Sequence, residues 1–416
     1  MLHPDDHLFG SLLCGEDPAG CVHCREGAKM VLLVTGLCTR GCYYCPLSRK
    51  KMGKDVVYAN ELLVWNDKKR DAETDHSETE RELTAVNRDN AIIEEARSIS
   101  ATGTGITGGD PLVMFDRTLH FIRLLKDRFG PDHHIHLYTA SIPDRDHLTA
   151  LKEAGLDEIR YHPMDVLDFY SEGDPLGNGC DLEDFLEPHL DAIRSSLEIA
   201  LITGVEIPAI PGQRELLSWM IPRLEAAGCQ FLNLNELEFS PTNAENLLHH
   251  GFAVRDELSS AVLGSREMVS GLFELIRDTG NNCENSPSDT PRQMSIHFCS
   301  SQYKDAGQLR RRLHRRAKNT ALPYELITGD ETLFLGVIEP SWDLEEFAGE
   351  LKEAFDIPDE LVHVNLRLHR IEIAPWVLQE ISDDIPAPCF LIEEYPTADR
   401  LEVEREQLKK PDAGDM

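Results

Sequence analysis

Three cysteines, Cys38, Cys42 and Cys45, stand in the run TGLCTRGCYYCPLS (35–48), directly after the apolar segment MVLLV. Thiolate sulfur is the ligand of zinc and of iron–sulfur clusters, and C-x3-C-x2-C spacing lets one loop wrap one metal centre. Three ligands instead of four leave a position open. The pattern suits a site-differentiated [4Fe–4S] cluster, with three irons held by thiolates and the fourth free for a small ligand. A zinc site that borrows its fourth ligand from elsewhere is the competing reading. Gly41 supplies backbone freedom for the turn.

A second group of thiols precedes the first. Cys14, Cys21 and Cys24 lie in LCGEDPAGCVHCREG (13–27), and C-x2-C is knuckle spacing for zinc or iron–sulfur. Cys299, in IHFCSS (296–301), completes a four-thiolate set on paper, with His23, His297 and Cys283 as alternative ligands. Such a second centre is read as an auxiliary iron–sulfur cluster ahead of structural zinc. The plainer alternative is a pair of ordinary thiols in an N-terminal hairpin. The chain has 11 cysteines, an odd number, and its N-terminus lacks the features of a secretory signal. Metal ligation is therefore expected rather than a disulfide framework. Cys180, Cys229 and Cys389 have no partner in sequence and read as core or loop thiols.

Periodicity supplies the elements that must position these residues. KMVLLVTG (29–36) predicts a buried strand that delivers the cysteine run at its C-terminal end. GTGITGG (103–109), HIHLYTA (134–140), EIRYHP (158–163), VEIPAIPG (205–212) and FLNLNELEFSP (231–241) predict five more strands. Helical segments at 84–100, 115–129, 144–156, 182–200 and 216–228 alternate with them. Repeated strand–helix units imply an α/β fold with a parallel sheet, either a β/α barrel or a doubly wound sheet. In both, the site lies at the C-terminal ends of the strands. Asn233, Asn235 and Glu238 put polar groups on one face of the sixth strand, which suggests substrate contacts.

Beyond residue 241 the pattern changes. Residues 244–320 read as helical and polar, with a loop at 281–293 and a strand at 295–300; residues 322–416 read as small α+β. The charged span 66–82 reads as a surface loop or solvated helix start. The expected division is a Cys-containing N-terminal extension (1–28), a strand–helix domain (29–241), a helical extension (242–320) and a small α+β domain (321–416).

Net charge is −33 over 416 residues, spread along the chain. A diffuse acidic surface argues for solubility and against a large nucleic-acid footprint. No run approaches 18 apolar residues, so no membrane span is expected, and a cytoplasmic location is. One basic segment, QLRRRLHRRAKN (308–319), pairs Arg311 with Arg315 and Arg312 with Arg316 at helical spacing. It reads as a solvated helix facing carboxylates, or as a phosphate or RNA contact.

The cysteine run resembles the hallmark of the radical S-adenosylmethionine (radical SAM) superfamily, C-x3-C-x-Φ-C with Φ aromatic. Cys38, Cys42, Tyr44 and Cys45 match every position. The resemblance implies a (β/α)6-type partial TIM barrel. It implies that the methionine amino and carboxylate groups of SAM chelate the open iron of a [4Fe–4S] cluster, with Tyr44 near the adenine. The reduced cluster then cleaves SAM to methionine and a 5′-deoxyadenosyl radical that abstracts a substrate hydrogen. A low-potential donor such as ferredoxin or flavodoxin is expected to supply the electron.

The same family places a Gly-Gly-Glu-Pro-like turn at the end of the next strand. Gly108-Gly109-Asp110-Pro111 stands there, with aspartate for glutamate. Two glycines let carbonyls approach the ligand, the carboxylate would pair with its ammonium, and proline fixes the turn. Further resemblance assigns Thr139, Arg160, His162 and Glu206, at the ends of the third to fifth strands, to the ribose and carboxylate of SAM. The backbone near Ile210 would contact adenine.

From roughly residue 12 to 320 the chain resembles a largely archaeal group related to pyruvate formate-lyase activating enzyme. A radical SAM enzyme is thus expected, with a protein or peptide substrate favoured over an RNA or a metabolite. The contrasting class is a non-catalytic iron–sulfur or zinc redox sensor. It would account for the cysteines but not for the GGDP turn or the repeats.

Overall fold

A computed structural model describes residues 9–66, 78–171, 182–278 and 294–409. Cys180, Cys283 and the 281–293 loop lie outside the described residues, as does most of the 66–82 span. The chain divides into two compact units, the second comprising Arg310 onward together with Ser98–Ser100.

In chain order the first unit contains β1 (Leu12–Cys14), α1 (Ala19–Arg25), β2 (Lys29–Leu33), β3 (Val56–Ala59), β4 (Leu62–Asn66), α2 (Glu78–Ser98) and β5 (Gly103–Thr107). There follow α3 (Phe115–Phe129), β6 (His134–Thr139), α4 (Arg145–Ala154), β7 (Glu158–Tyr161), α5 (Met164–Ser171), α6 (Leu182–Glu198), β8 (Ile202–Ala209), α7 (Arg214–Ala226) and β9 (Phe231–Glu236). Last come α8 (Ala244–His249), β10 (Val254–Asp256), β11 (Ser259–Val262), α9 (Ser265–Asp278) and β12 (Ser295–Cys299).

Ten strands form one sheet in the order β1-β12-β9-β8-β7-β6-β5-β2-β3-β4. The six predicted strands are all present and pair in parallel, giving a partial TIM barrel. A seventh parallel strand, β12, joins them beside β9. It comes from the segment expected to be a helical extension, and its alternation explains why. Ile296 and Phe298 are fully buried, while Ser295, His297 and Cys299 align with Phe231, Asn233 and Asn235. The N-terminal segment is likewise built into this unit: β1 pairs antiparallel with β12.

Strand alternation separates two faces. Ile135, Leu137, Ile159, Val205, Ile207, Leu232 and Leu234 are buried on the helix side. Tyr161 belongs to that set and places its hydroxyl 2.8 Å from Ser196 Oγ on α6. The intervening His134, His136, Glu158, Arg160, Glu206, Asn233 and His297 therefore face the concave interior. Helix α1 lies against this polar face, where the Gly20 amide donates to Glu158 Oε2 at 3.1 Å. Only glycine fits there, because a Cβ would stand 2.6 Å from Arg160 Nη2 and from His136 Nδ1.

The second unit contains α10 (Arg310–Thr320), β13 (Leu326–Ile327), β14 (Leu333–Ile338), α11 (Leu344–Phe355), β15 (Val362–Asn365), β16 (Arg370–Ile373), α12 (Pro375–Ile381), β17 (Cys389–Glu394) and β18 (Glu402–Lys409). Its antiparallel sheet packs Ile338, Ile371, Ile373 and Cys389 against Phe347 and Leu351 of α11 and Leu378 of α12. Arg370 is buried between Glu372 at 2.7 Å and Glu394 at 2.5 Å. On α10, Arg315 donates to the carbonyls of Ile99 and Ser100 at 2.8 and 2.7 Å. That cation of the basic segment is thus engaged by backbone. No helix among the described residues is long and apolar enough to cross a membrane.

Candidate active site

The three cysteines follow β2 on an irregular loop at the C-terminal edge of the barrel. All three are free thiols, Cys38 exposed and Cys42 and Cys45 half-buried. The loop is held from several directions. At its entry, Gly36 exchanges backbone bonds with Lys54 and Gly53 at 2.8 and 2.9 Å. A Cβ on Gly36 would lie 1.8 Å from the Lys51 carbonyl oxygen, so only glycine permits this approach. Arg117 of α3 makes a two-bond contact with Asp55 at 2.6 and 3.0 Å and reaches the Val34 carbonyl, while Thr35 donates to the same Asp55. Arg40 pairs with Asp165 of α5 at 2.8 Å. Buried Asn243 donates to the carbonyls of Tyr44 and Glu238, both at 3.0 Å.

The donor set fits a polynuclear cluster better than zinc. Thiolates on one zinc ion lie about 3.8 Å apart, given Zn–S bonds near 2.3 Å and tetrahedral angles. Among the described residues the only three such donors within 4.8 Å of one another are His134, His136 and Glu158, so the triad sulfurs are more widely spaced. Burial pushes the Cys42 thiol up to about 12, and Asp168 and the other two cysteines add to the effect. Cys38 is also raised, chiefly by burial.

The GGDP turn is zipped to the entry of this loop. Gly109 N donates to Thr35 O and Asp110 N to Leu37 O, each at 2.8 Å. A Cβ on Gly108 or Gly109 would meet those same carbonyls at 2.4 and 2.3 Å. The Asp110 side chain was expected to offer its carboxylate to an ammonium group. The structure instead surrounds it with donors from the chain. It is fully buried and accepts from Thr139 Oγ1 (3.0 and 3.1 Å), Ala140 N (3.2 Å), Ser141 N (2.9 Å) and Ser141 Oγ (2.7 Å). It also caps the short turn Pro111–Met114 through Leu112 N at 3.0 Å. Aspartate, a methylene shorter than glutamate, clamps the β5 turn onto the end of β6. The Thr139 hydroxyl faces this clamp.

Tyr44 is buried, and its hydroxyl lies 2.8 Å from His162 Nε2. His162 Nδ1 lies 2.9 Å from the Glu206 carbonyl. A carbonyl can only accept, so Nδ1 carries the proton and Nε2 accepts from Tyr44. Burial lowers the His162 pKa and keeps the ring neutral. The structure thus joins two predicted positions in one chain of bonds.

Arg160 and the Glu206 side chain belong to the interior below. Arg160 donates to Glu158 at 2.5 Å and to Glu206 at 2.6 Å. Glu206 also accepts from Asn233 at 3.1 Å and Asn235 at 2.8 Å. Burial alone would raise the Glu158 carboxyl, but the Arg160 guanidinium, with His134 and the Gly20 amide, holds it down to about 2. Ile210 is buried, with its amide on the Pro208 carbonyl at 3.1 Å. Glu238 pairs with Lys304 at 2.6 Å.

The remaining predicted ligands divide into an interior group and an outlying one. Cys21 and Cys299 are inside the barrel, Cys21 Sγ accepting from Asn233 Nδ2 at 3.2 Å and from Arg160 Nη1 at 3.5 Å. Cys24 lies one helical turn further along α1. Cys14 is buried on β1 and disulfide-bonded, so it is not among the free thiols. His23 Nδ1 is 2.8 Å from Thr102 Oγ1. Asp55, Arg117, Ser141 and Asn243 were not foreseen. Their spacing from the cysteines follows no periodicity, although Ser240-Pro-Thr-Asn243 has the residue types of a turn.

The profile of the Radical SAM superfamily matches residues 32–215, and that of a domain of unknown function, DUF8061, matches residues 332–408. A protein of Methanocaldococcus jannaschii, provisionally named a glycyl-radical enzyme activating enzyme, is 35% identical over 398 residues, or 93% of this chain and 92% of that one. Among solved structures, Streptococcus suis SuiB bound to S-adenosylmethionine is 9% identical over 66% of this chain and 50% of its own, with a TM-score of 0.36. The radical S-adenosylmethionine methyltransferase TsrM of Kitasatospora setae is 14% identical over 55% of this chain and 40% of its own, at 0.34.

Proposed function

The chain belongs to the radical SAM superfamily, and from that membership we propose that it cleaves S-adenosylmethionine reductively and abstracts hydrogen from a polypeptide substrate. The observation that carries this reading is the backbone zipper between the free-thiol loop and the Gly108–Gly109 turn. A [4Fe–4S] cluster bound by Cys38, Cys42 and Cys45 supplies, with an electron from a low-potential ferredoxin or flavodoxin, the reducing power for that cleavage.

The rest is the work of the chain's own residues. Gly108 and Gly109 expose backbone for the amino-acid end of SAM, since neither carries a side chain. Asp110 keeps that turn at fixed distance from β6. Neutral His162 orients Tyr44 through the hydrogen bond at 2.8 Å, which fixes the aromatic ring beside the loop. A protein substrate, such as a glycyl-radical enzyme, is the class suggested by the name of the methanogen relative. With Arg315 committed to backbone carbonyls, the basic helix gives an RNA substrate less support.

The test is anaerobic reconstitution with iron and sulfide, reduction by dithionite, and assay of 5′-deoxyadenosine from added SAM. The expected result is nucleoside formation by the wild type and none by Cys42→Ala. A sample with a full cluster that releases no 5′-deoxyadenosine overturns the proposal.

A further inference from the structure

A second set of thiols lies inside the barrel, apart from the loop that follows β2. Cys21 and Cys24 are three residues apart on α1 and so share one face of that helix. Contacts of Gly20 with Glu158, and of Cys21 with Arg160 and Asn233, turn that face toward the interior. Cys299 sits on β12 in register with Asn235, and its electrostatic neighbours include Cys24 and Cys21. All three are free, and Cys299 is buried.

The surroundings of these sulfurs are those of ligands to an anionic centre. Cys21 Sγ accepts N–H bonds from Asn233 and Arg160, and Cys299 Sγ accepts one from Gln308 Nε2 at 3.5 Å. Bonds of this kind orient cluster thiolates and tune their potential. Three cations act electrostatically on the set: Arg160, which also pairs with Glu158 and Glu206, Lys304, which also pairs with Glu238, and Lys29. His297 stands next to Cys21; its ring is nine-tenths or more buried, and its Nδ1 has no hydrogen-bond partner.

We propose that Cys21, Cys24 and Cys299, with His297 as fourth donor, hold a second iron–sulfur centre inside the barrel. Zinc is disfavoured by spacing, because no three of these donors lie within 4.8 Å of one another. The closely grouped His134, His136 and Glu158 do not compete for a bare cation. Glu158 is occupied by Arg160 and the Gly20 amide, and the charges of Arg160 and Lys29 act directly on His136. A thiolate-bound cluster carries negative charge and so tolerates Arg160 and Lys29 where a bare cation would be repelled.

The proposal is independent of whether the first triad cleaves SAM, and iron counting separates the two. Full-length protein is reconstituted anaerobically as wild type, as the triple variant Cys38→Ala, Cys42→Ala, Cys45→Ala, and as the double variant Cys21→Ala, Cys24→Ala. Two four-iron clusters give about eight irons per chain in the wild type and about four in each variant. The triple variant should keep the broad visible absorption of a cluster and, after reduction, its paramagnetic signal. His297→Cys should retain the iron and shift that signal. The idea is overturned if the triple variant, folded by circular dichroism, binds no iron, or if it binds zinc in place of iron. A wild type saturated by about four irons, with the double variant unchanged, overturns it equally. Should the double variant fail to fold, the triple variant alone decides. Assay of 5′-deoxyadenosine in the wild type reports separately on the SAM reading.

Discussion

Substitution of Asp110 separates a clamp from a ligand. Asp110→Ala removes the acceptor shared by Leu112 N, Ala140 N, Ser141 N and the hydroxyls of Thr139 and Ser141. The hydroxyls can rotate to new acceptors, and Ser141 N keeps Thr139 Oγ1 at 3.0 Å. Leu112 N and Ala140 N lose their carboxylate. Orphaned amides cost roughly 1–3 kcal/mol each, so the variant should be destabilised by about 2–6 kcal/mol. Asp110→Glu restores the carboxylate found in the family motif but forces an added methylene into a fully buried site, at about 1–3 kcal/mol. Urea unfolding of the metal-free protein, with SAM affinity measured alongside after reconstitution, distinguishes the roles. Stability within about 1 kcal/mol of wild type for Asp110→Ala, combined with a tenfold or greater loss of SAM affinity, would refute the clamp.

Three further outcomes are expected. Gly36→Ala drives a Cβ into the Lys51 carbonyl, a backbone atom that cannot swing aside, so the loop should lose iron retention and the protein several degrees in thermal unfolding. His133 is held neutral by burial and by Lys126, its pKa pulled from 6.5 to about 4. The unfolded chain therefore binds the extra proton, and stability should fall as pH drops through that window, by up to roughly 3 kcal/mol. His133→Gln should flatten that segment of a stability–pH curve. Arg370→Met leaves Glu372 and Glu394 buried without their cation and should destabilise the second unit by about 3–5 kcal/mol in chemical denaturation.

The six central strands were legible because each alternates or runs apolar over four to eight residues between turn signals, a local pattern. The cysteine loop and the GGDP turn were legible because residue type and spacing carry them. The partners of Asp110 were not, since nothing in a GGDP tetrapeptide says that the end of the neighbouring strand will fill its carboxylate. Arg160 and Glu206 were expected at a ligand, but their mutual bond at 2.6 Å depends on two strands being neighbours. Strand β12 was seen as a strand and placed outside the barrel, because a five-residue segment does not reveal its partners. Helix α1 shows the same gap: C-x2-C announces a pair of thiols, and only packing tells which wall of the molecule they face.

The pairing of β1 with β12 fixes an order of events during synthesis. Ser11 and Ser300 are hydrogen-bonded across 289 residues, so the segment made early waits for a partner made near the end of the first unit. Helix α1 meets its partners earlier, since Gly20 bonds to Glu158 and His23 lies against Thr102, but β1 has no strand to pair with until Ser295–Cys299 has been made. Once β12 docks, it brings Cys299 to the interior wall opposite Asn235. Anything held jointly by Cys21 and Cys299 therefore needs both ends of the first unit in place at once.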